Sequence, residues 1–287
     1  MDIIVNFAPT GVIPTKAMTP FVPISVQEII EDVHRAYEIG ISMVHLHARD
    51  ENTGYPTYKA DIYAKLISGI RKFASDLIIT VSLSGRLYSE FEKRSEPLQL
   101  DGNVKPDMGS LTLSSVNFNK EASINAPSMI QALALELQKK NIMPELEAFD
   151  VGMVNYSKYL ERKGLIIAPH YINLIIGNIA CAQANLLHIG MMLNDLPSNS
   201  YWSLGGVGDA QTMVNSIAIA IGGGVRIGIE DNIWFDSRRT KLAHSKDFLL
   251  RIKELALASG REIMPPSKLR KILHLCPGNG LYGREQT

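Results

Sequence analysis

The chain has 287 residues, of which 46% are hydrophobic and 20% charged, a composition typical of a globular protein that buries a large core. Its 29 basic and 29 acidic residues cancel at pH 7, so no net charge favours nucleic acid or an anionic membrane as a partner. The two cysteines, Cys181 and Cys276, stand far apart and predict neither a disulfide framework nor a thiolate metal site. We therefore expect a protein of the reducing cytoplasm.

Targeting and membrane segments are not expected either. Residues 1–6 contain no basic region and lead into no long apolar stretch, so no secretory signal is predicted. The longest apolar tract, residues 172–184, is interrupted by Asn173, Gly177 and Asn178 and is too short to span a bilayer.

In chain order, short β-branched segments alternate with longer segments of helical periodicity. Strands are predicted over residues 3–8, 43–47, 77–82, 110–113, 146–149, 172–176, 202–204 and 225–229. Helices are predicted over residues 25–39, 59–73, 126–140, 152–162, 182–192, 209–221 and 241–259. This alternation predicts an α/β fold of the (β/α)8 TIM-barrel class, formed by a single domain over residues 1–287 with a C-terminal helical extension. Catalytic residues are then expected in the loops that follow strands.

Two histidines end the second predicted strand, in the segment HLHARD. Because side chains two apart on a strand point to the same face, His45 and His47 both enter the barrel interior. Two imidazoles on one face form half of a tetrahedral zinc site, which a carboxylate and a water or substrate would complete. The alternative is a core histidine followed by an ordinary loop histidine.

The carboxylate candidate follows the last predicted strand, in the segment VRIGIEDN. Alternation places Arg226, Gly228 and Glu230 on one face, whereas a buried parallel strand is normally apolar throughout. A buried glutamate needs an ion partner or a metal. Glu230 is therefore the predicted third metal ligand, and the alternative is an internal ion pair of Arg226 with Glu230 or Asp231.

Hydroxyl and carboxyl groups follow the strands between these two segments. Ser82 and Ser84 end the third strand, where hydroxyls beside a metal suit a substrate carboxylate. Thr112 on the fourth strand and Glu145 near the fifth are further candidates. Each has a plain alternative, namely a hydrogen bond at a strand end or an ion pair with a basic residue.

The segments HLHARD, SLSGR, PDMGSLTLSSVNF, PELEAFDVGM and GGGVRIGIEDN together resemble the beta-keto acid cleavage enzymes, and the resemblance covers nearly the whole chain. It implies a zinc-binding (β/α)8 barrel, usually a homotetramer. It also implies a transferase reaction in which a 3-keto acid and acetyl-CoA give acetoacetate and a new CoA thioester.

The same resemblance implies roles for individual residues. The metal ligands are His45, His47 and Glu230, the substrate-carboxylate contacts are Ser82 and Thr112, the proton-transfer pair is Arg226 and Asp231, and Glu145 is an acid of the fifth-strand motif. Zinc would polarise the keto acid so that Asp231, oriented by Arg226, can remove a proton from the α-carbon.

Within the first loop, residues 12–17 contain no carboxylate, which predicts a neutral or anionic 3-keto acid rather than one with an ammonium group. The alternative enzyme is a metal-dependent TIM-barrel hydrolase of the amidohydrolase type, which also uses a His-x-His pair. A non-catalytic binding protein on a barrel scaffold would leave the buried charges unexplained.

Overall fold

A computed structural model describes residues 2–285, and eight parallel strands in them form a closed barrel. The barrel strands are β1 (Val5–Phe7), β2 (Met43–Leu46), β3 (Ile78–Val81), β4 (Met108–Thr112), β7 (Met143–Ala148), β8 (His170–Ile176), β9 (Ser200–Gly206) and β10 (Gly224–Ile227). Around the barrel they follow the order β1, β10, β9, β8, β7, β4, β3 and β2. Two short antiparallel strands, β5 (Val116–Asn117) and β6 (Ala122–Ser123), form a hairpin after β4.

Helices connect the strands and cover the outside of the barrel. They are α1 (Val26–Ile39), α2 (Ala60–Arg71), α3 (Phe91–Ser95), α4 (Pro127–Lys139), α5 (Val151–Arg162), α6 (Leu186–Asn194), α7 (Gln211–Ala220), α8 (Ser245–Ala258) and α9 (Pro266–Ile272). Over residues 2–285, none of them has the length and apolar content that crossing a bilayer requires.

The predicted fold class is confirmed, and the main departures lie at strand ends. Strand β7 begins at Met143, three residues before the prediction, and α3 and the β5–β6 hairpin lie between the predicted elements. Strand β10 ends at Ile227, so the expectation that it continues to residue 229 is wrong. A Cβ on Gly228 would lie 1.9 Å from the carbonyl oxygen of Ala8, because the chain turns sharply there against the end of β1. Glu230 therefore lies in a turn after β10.

The barrel interior changes from apolar to polar along the strands. Its apolar end is a buried cluster of Ile4, Met43, Ile78, Met108, Met143, Tyr171, Met264, Leu269, Leu273 and Leu275. Helix α9 contributes Leu269 to this cluster, so it closes the end where the strands begin. Two residues further along the strands the buried side chains are polar, as with His45 after Met43 and Glu145 after Met143. The interior therefore holds its polar groups at the carboxyl ends of the strands, where barrel enzymes bind substrates.

Candidate metal centre and active site

Three predicted metal ligands converge at the carboxyl end of the barrel. His45 lies on β2, His47 follows that strand, and their Nε2 atoms are 3.2 Å apart. His47 Nε2 lies 3.2 Å from Glu230 Oε1. One donor atom from each of the three residues lies within 4.8 Å of the other two, so the group could hold one metal ion. The structure therefore brings together two imidazoles and one carboxylate, as a catalytic zinc site requires.

The polar atoms of this group fit a cation. Glu230 Oε2 is buried and has no hydrogen-bond partner among the described residues. His45 Nδ1 lies 2.6 Å from Glu145 Oε2, so that ring directs Nε2 towards His47 and Glu230. An unpaired buried carboxylate oxygen is costly unless a ligand binds it. Two nitrogen donors and one oxygen donor suit zinc but also accept other divalent transition metals.

Glu145 lies beneath His45 and is fully buried. Its Oε1 accepts hydrogen bonds from Asn6 Nδ2 at 2.5 Å and from Asn173 Nδ2 at 2.7 Å. Burial lowers the pKa of His45, but the charge of Glu145 outweighs it and raises that pKa to about 9. Glu145 is not among the residues that line the cavity next to His45 and His47. Its geometry therefore suits orienting His45 and not contact with a substrate.

Arg226 on β10 links His45, His47 and Glu230, which we call the metal group, to a second set of carboxylates. Its Nη2 lies 2.8 Å from Glu230 Oε1, its Nε donates to Asp231 Oδ2 at 3.0 Å, and its Nη1 lies 3.7 Å from Glu147 Oε1. One guanidinium thus offsets three buried or nearly buried carboxylates. Burial raises the pKa of Asp231 to about 6, although Arg226 opposes that shift. Burial also raises the pKa of Glu230, but Arg226 and His47 hold it well below the usual value.

The first loop packs directly against Glu230. Gly11 has a φ of 66°, and a Cβ at that position would lie 2.5 Å from Glu230 Cγ, so only glycine fits here. Arg49 fixes the loop by donating to the carbonyl oxygens of Gly11 and Pro14, each at 3.0 Å. The loop therefore holds the Glu230 side chain in place from one side.

The predicted substrate-binding hydroxyls lie beside this group. Ser82 and Ser84 follow β3, and Thr112 ends β4. Thr112 Oγ1 donates to Glu147 Oε2 at 2.8 Å, and Ser82 Oγ accepts from the backbone nitrogen of Ser84 at 3.3 Å. All three residues line one cavity of about 1190 Å³, which we call the upper cavity. His45, His47, Glu147, Arg226, Glu230 and Asp231 line the same cavity.

Two residues of this site, Asn6 and Asn173, were not predicted from the sequence. Glu145 and Glu147 were both expected on one face of the fifth strand, and Glu145 was preferred. Asn6 and Asn173 are fully buried within otherwise apolar strands. An amide inside an apolar strand needs a hydrogen-bond partner, which is the only sequence feature that pointed to them.

The chain is similar to known proteins over most of its length. A sequence profile described as beta-keto acid cleavage enzyme matches residues 2–275. The 3-keto-5-aminohexanoate cleavage enzyme of Fusobacterium nucleatum subsp. nucleatum is 34% identical over 275 residues, which cover 95% of this chain and 98% of that protein. The 3-oxoadipate:acetyl-CoA acetyltransferase of Cupriavidus necator is 32% identical over 284 residues, which cover 98% of this chain and 97% of that protein.

Solved structures show the same fold. A ternary complex of ObcA with a C4-CoA adduct and oxalate aligns with a TM-score of 0.79 and 21% identity, covering 91% of this chain and 68% of that one. This likeness supports the barrel architecture alone. None of these comparisons favours the amidohydrolase-type alternative.

Proposed function

Because this chain belongs to the beta-keto acid cleavage enzyme family and is an acyltransferase of the keto acid:acetyl-CoA type, we propose that it converts a 3-keto acid and acetyl-CoA to acetoacetate and a new CoA thioester. One observation carries the proposal. The group of His45, His47 and Glu230 shares the upper cavity with the Arg226–Asp231 pair. A cation site and a carboxylate base side by side are what removal of a proton next to a carbonyl group requires.

We propose that His45, His47 and Glu230 hold a zinc ion. The two Nε2 atoms and the unpartnered Glu230 Oε2 support this assignment. When bound, zinc would polarise the oxygens of the keto acid and stabilise negative charge that develops on them. Glu145 takes part by orienting His45, and it acts through that ring.

Asp231 is the proposed base. Its carboxylate lines the upper cavity and is held through Oδ2 by Arg226 Nε at 3.0 Å. It removes one proton from the α-carbon, and the resulting carbanion attacks the thioester carbonyl of acetyl-CoA, so that a C–C bond forms and the CoA thiolate leaves. The thiolate then attacks the carbonyl carbon that was C3 of the 3-keto acid, and the bond between that carbon and the α-carbon breaks. Asp231 returns its proton to the α-carbon, which leaves as part of acetoacetate. Arg226 keeps the carboxylate oriented throughout.

The hydroxyls of Ser82, Ser84 and Thr112 are the proposed contacts of the substrate carboxylate. They lie at or just beyond the ends of the neighbouring strands β3 and β4, beside the metal group, and line the same cavity. Hydroxyl groups can donate to a carboxylate without adding charge to the site. This placement would direct the α-carbon towards Asp231.

We also propose a homotetramer in the cytoplasm, built from a single domain with α9 as the C-terminal helical extension. Leu186 and Leu187 on α6 are each 71% exposed, as expected where another subunit packs. Residues 1, 286 and 287 of the proposed domain lie outside the described residues. Light scattering on the purified protein measures the subunit number directly.

The proposed reaction is tested by incubating the purified protein with zinc, acetyl-CoA and a panel of 3-keto acids while acetoacetate is followed. We expect acetoacetate to appear only when both substrates are present and to appear together with a new CoA thioester. Hydrolysis of amides or esters, with no acetoacetate from any member of the panel, would contradict the proposal.

A further inference from the structure

Arg86 lines the upper cavity but takes no part in the reaction described above. It lies in the turn that follows β3, two residues beyond Ser84. Its side chain is 14% exposed, and its Nε is buried without a hydrogen-bond partner among the described residues. A guanidinium with a buried nitrogen that makes no hydrogen bond is costly, and the cost is removed when an anion accepts one from it.

The ring of Phe118 holds the Arg86 guanidinium in place. The guanidinium carbon lies 3.9 Å from the ring centroid, and Phe118 packs edge-on against Phe149 at 6.1 Å. Phe118 and Phe149 also line the upper cavity. The side chain is thus fixed by contacts with an aromatic wall, which leaves its hydrogen-bonding edge available.

The other arginines that line the upper cavity, Arg226 and Arg239, lie closer to their carboxylate partners than Arg86 does. Arg226 contacts Asp231 and Glu230, and Arg239 donates to both carboxylate oxygens of Asp209 at 3.1 and 3.0 Å. The carboxylate paired with Arg86 belongs to Glu121, whose Oε2 lies 3.9 Å from Nε and whose side chain is 57% exposed. A long ion pair with an exposed partner contributes little, so this guanidinium keeps most of its capacity for another anion.

The first loop adds nothing that would attract a cation. It lines the upper cavity with Val12, Ile13, Pro14 and Met18. The charged residue of this loop, Lys16, pairs with Glu28 at 2.6 Å and does not line the cavity. The wall beside the metal group is therefore apolar on one side and carries Arg86 on another.

Resting on the proposed function, we infer that Arg86 binds a second carboxylate at the far end of the 3-keto acid, so that dicarboxylic 3-keto acids are the preferred substrates. The reacting end already has its partners in Ser82, Ser84 and Thr112, which lie nearer the ends of β3 and β4 than Arg86 does. A guanidinium offers two parallel donors that match a carboxylate.

The test compares two acids of equal chain length, 3-oxoadipate and 3-oxohexanoate, which differ in the terminal carboxylate. The wild-type protein should prefer 3-oxoadipate in kcat/KM. Arg86→Gln should reduce that preference by about 10- to 100-fold through a higher KM, because a charge-assisted hydrogen bond is lost. Arg86→Lys should retain part of the preference. The matched control is Arg239→Gln, whose partner is Asp209, and it should leave the preference unchanged.

Two kinetic outcomes would overturn the assignment of Arg86 to the second carboxylate. An equal loss for both acids would place Arg86 at the reacting carboxylate, and a higher KM for acetyl-CoA alone would make it a phosphate contact. Calorimetry with the unreactive analogues adipate and hexanoate separates this inference from the proposed reaction. Tighter binding of adipate that Arg86→Gln abolishes supports the inference even without turnover, whereas equal binding of the two analogues overturns it.

Discussion

Two buried arginine–carboxylate groups lie at opposite ends of the barrel, and they differ in how completely their hydrogen bonds are made. At the end where the strands begin, Arg270 donates to both oxygens of Asp107 at 2.9 and 2.8 Å. Asp107 also accepts from the backbone nitrogens of Ile79 and Gly283. Neither residue of this basal pair has a buried side-chain atom without a partner in the described part of the chain. Arg71 also lies 3.6 Å from Asp107, and its Nε makes no hydrogen bond, but its guanidinium stacks on the ring of Tyr282.

At the opposite end, the group around Arg226 is incomplete. Arg226 Nη1 and Glu230 Oε2 are both buried without a hydrogen-bond partner within residues 2–285. The two groups use the same residue types at similar burial, so charge alone does not distinguish structure from function. The completeness of the hydrogen bonding distinguishes the two groups, because buried donors and acceptors without partners are tolerated where a ligand binds them.

The largest effect is expected in the group around Arg226, for Asp231→Asn. This change should lower kcat by about 1000-fold, because a general base typically contributes between 100- and 10,000-fold. Zinc content, measured by atomic emission on the purified variant, should stay at the wild-type level. Asp209→Asn at the cavity rim is the matched control and should keep full turnover. Undiminished turnover in Asp231→Asn would remove Asp231 from the mechanism.

A smaller effect is expected in the basal pair, for Asp107→Asn. Breaking a fully buried ion pair leaves Arg270 uncompensated, so the free energy of unfolding should fall by about 3 kcal/mol. Urea denaturation measures this change, and kcat per folded protein should be unaltered. Wild-type stability in this variant would mean that complete hydrogen bonding does not mark a structural group.

The smallest effect is expected one layer below the metal group, for Glu145→Gln. The variant should weaken zinc affinity by about 10- to 100-fold, because the carboxylate that orients His45 becomes neutral. Competition with a chelator measures this affinity. Glu161→Gln changes the carboxylate 2.9 Å from Nε2 of another buried histidine, His170, and should leave zinc affinity unchanged. Equal effects in the two variants would contradict the orienting role.

Local sequence patterns predicted the parts of the fold that depend on local periodicity. The alternation of strand and helix segments predicted all eight strands, and the spacing of His45 and His47 placed both rings at one strand end. The Arg226–Asp231 contact was expected as an ion pair, and the turn after β10 brings the two side chains together.

Features that depend on distant contacts were not predictable in this way. The end of β1 sets the turn at Gly228. Glu230 therefore lies in that turn and not on the strand face where it was expected, although its side chain still reaches His47. The hydrogen bonds of Glu145 come from Asn6 and Asn173, 139 and 28 residues away. The Arg86 guanidinium packs on the ring of Phe118, which lies in a hairpin that the sequence pattern did not indicate.

We propose above that His45, His47 and Glu230 share one zinc ion at the carboxyl end of the barrel. Anomalous diffraction at the zinc edge, from crystals grown with zinc, would locate that ion. We predict one peak at about 2.0 to 2.2 Å from both Nε2 atoms and a Glu230 oxygen, and a much weaker peak in Glu230→Gln. A zinc peak only at another position, or no peak at these three side chains, would show that they do not share a zinc ion.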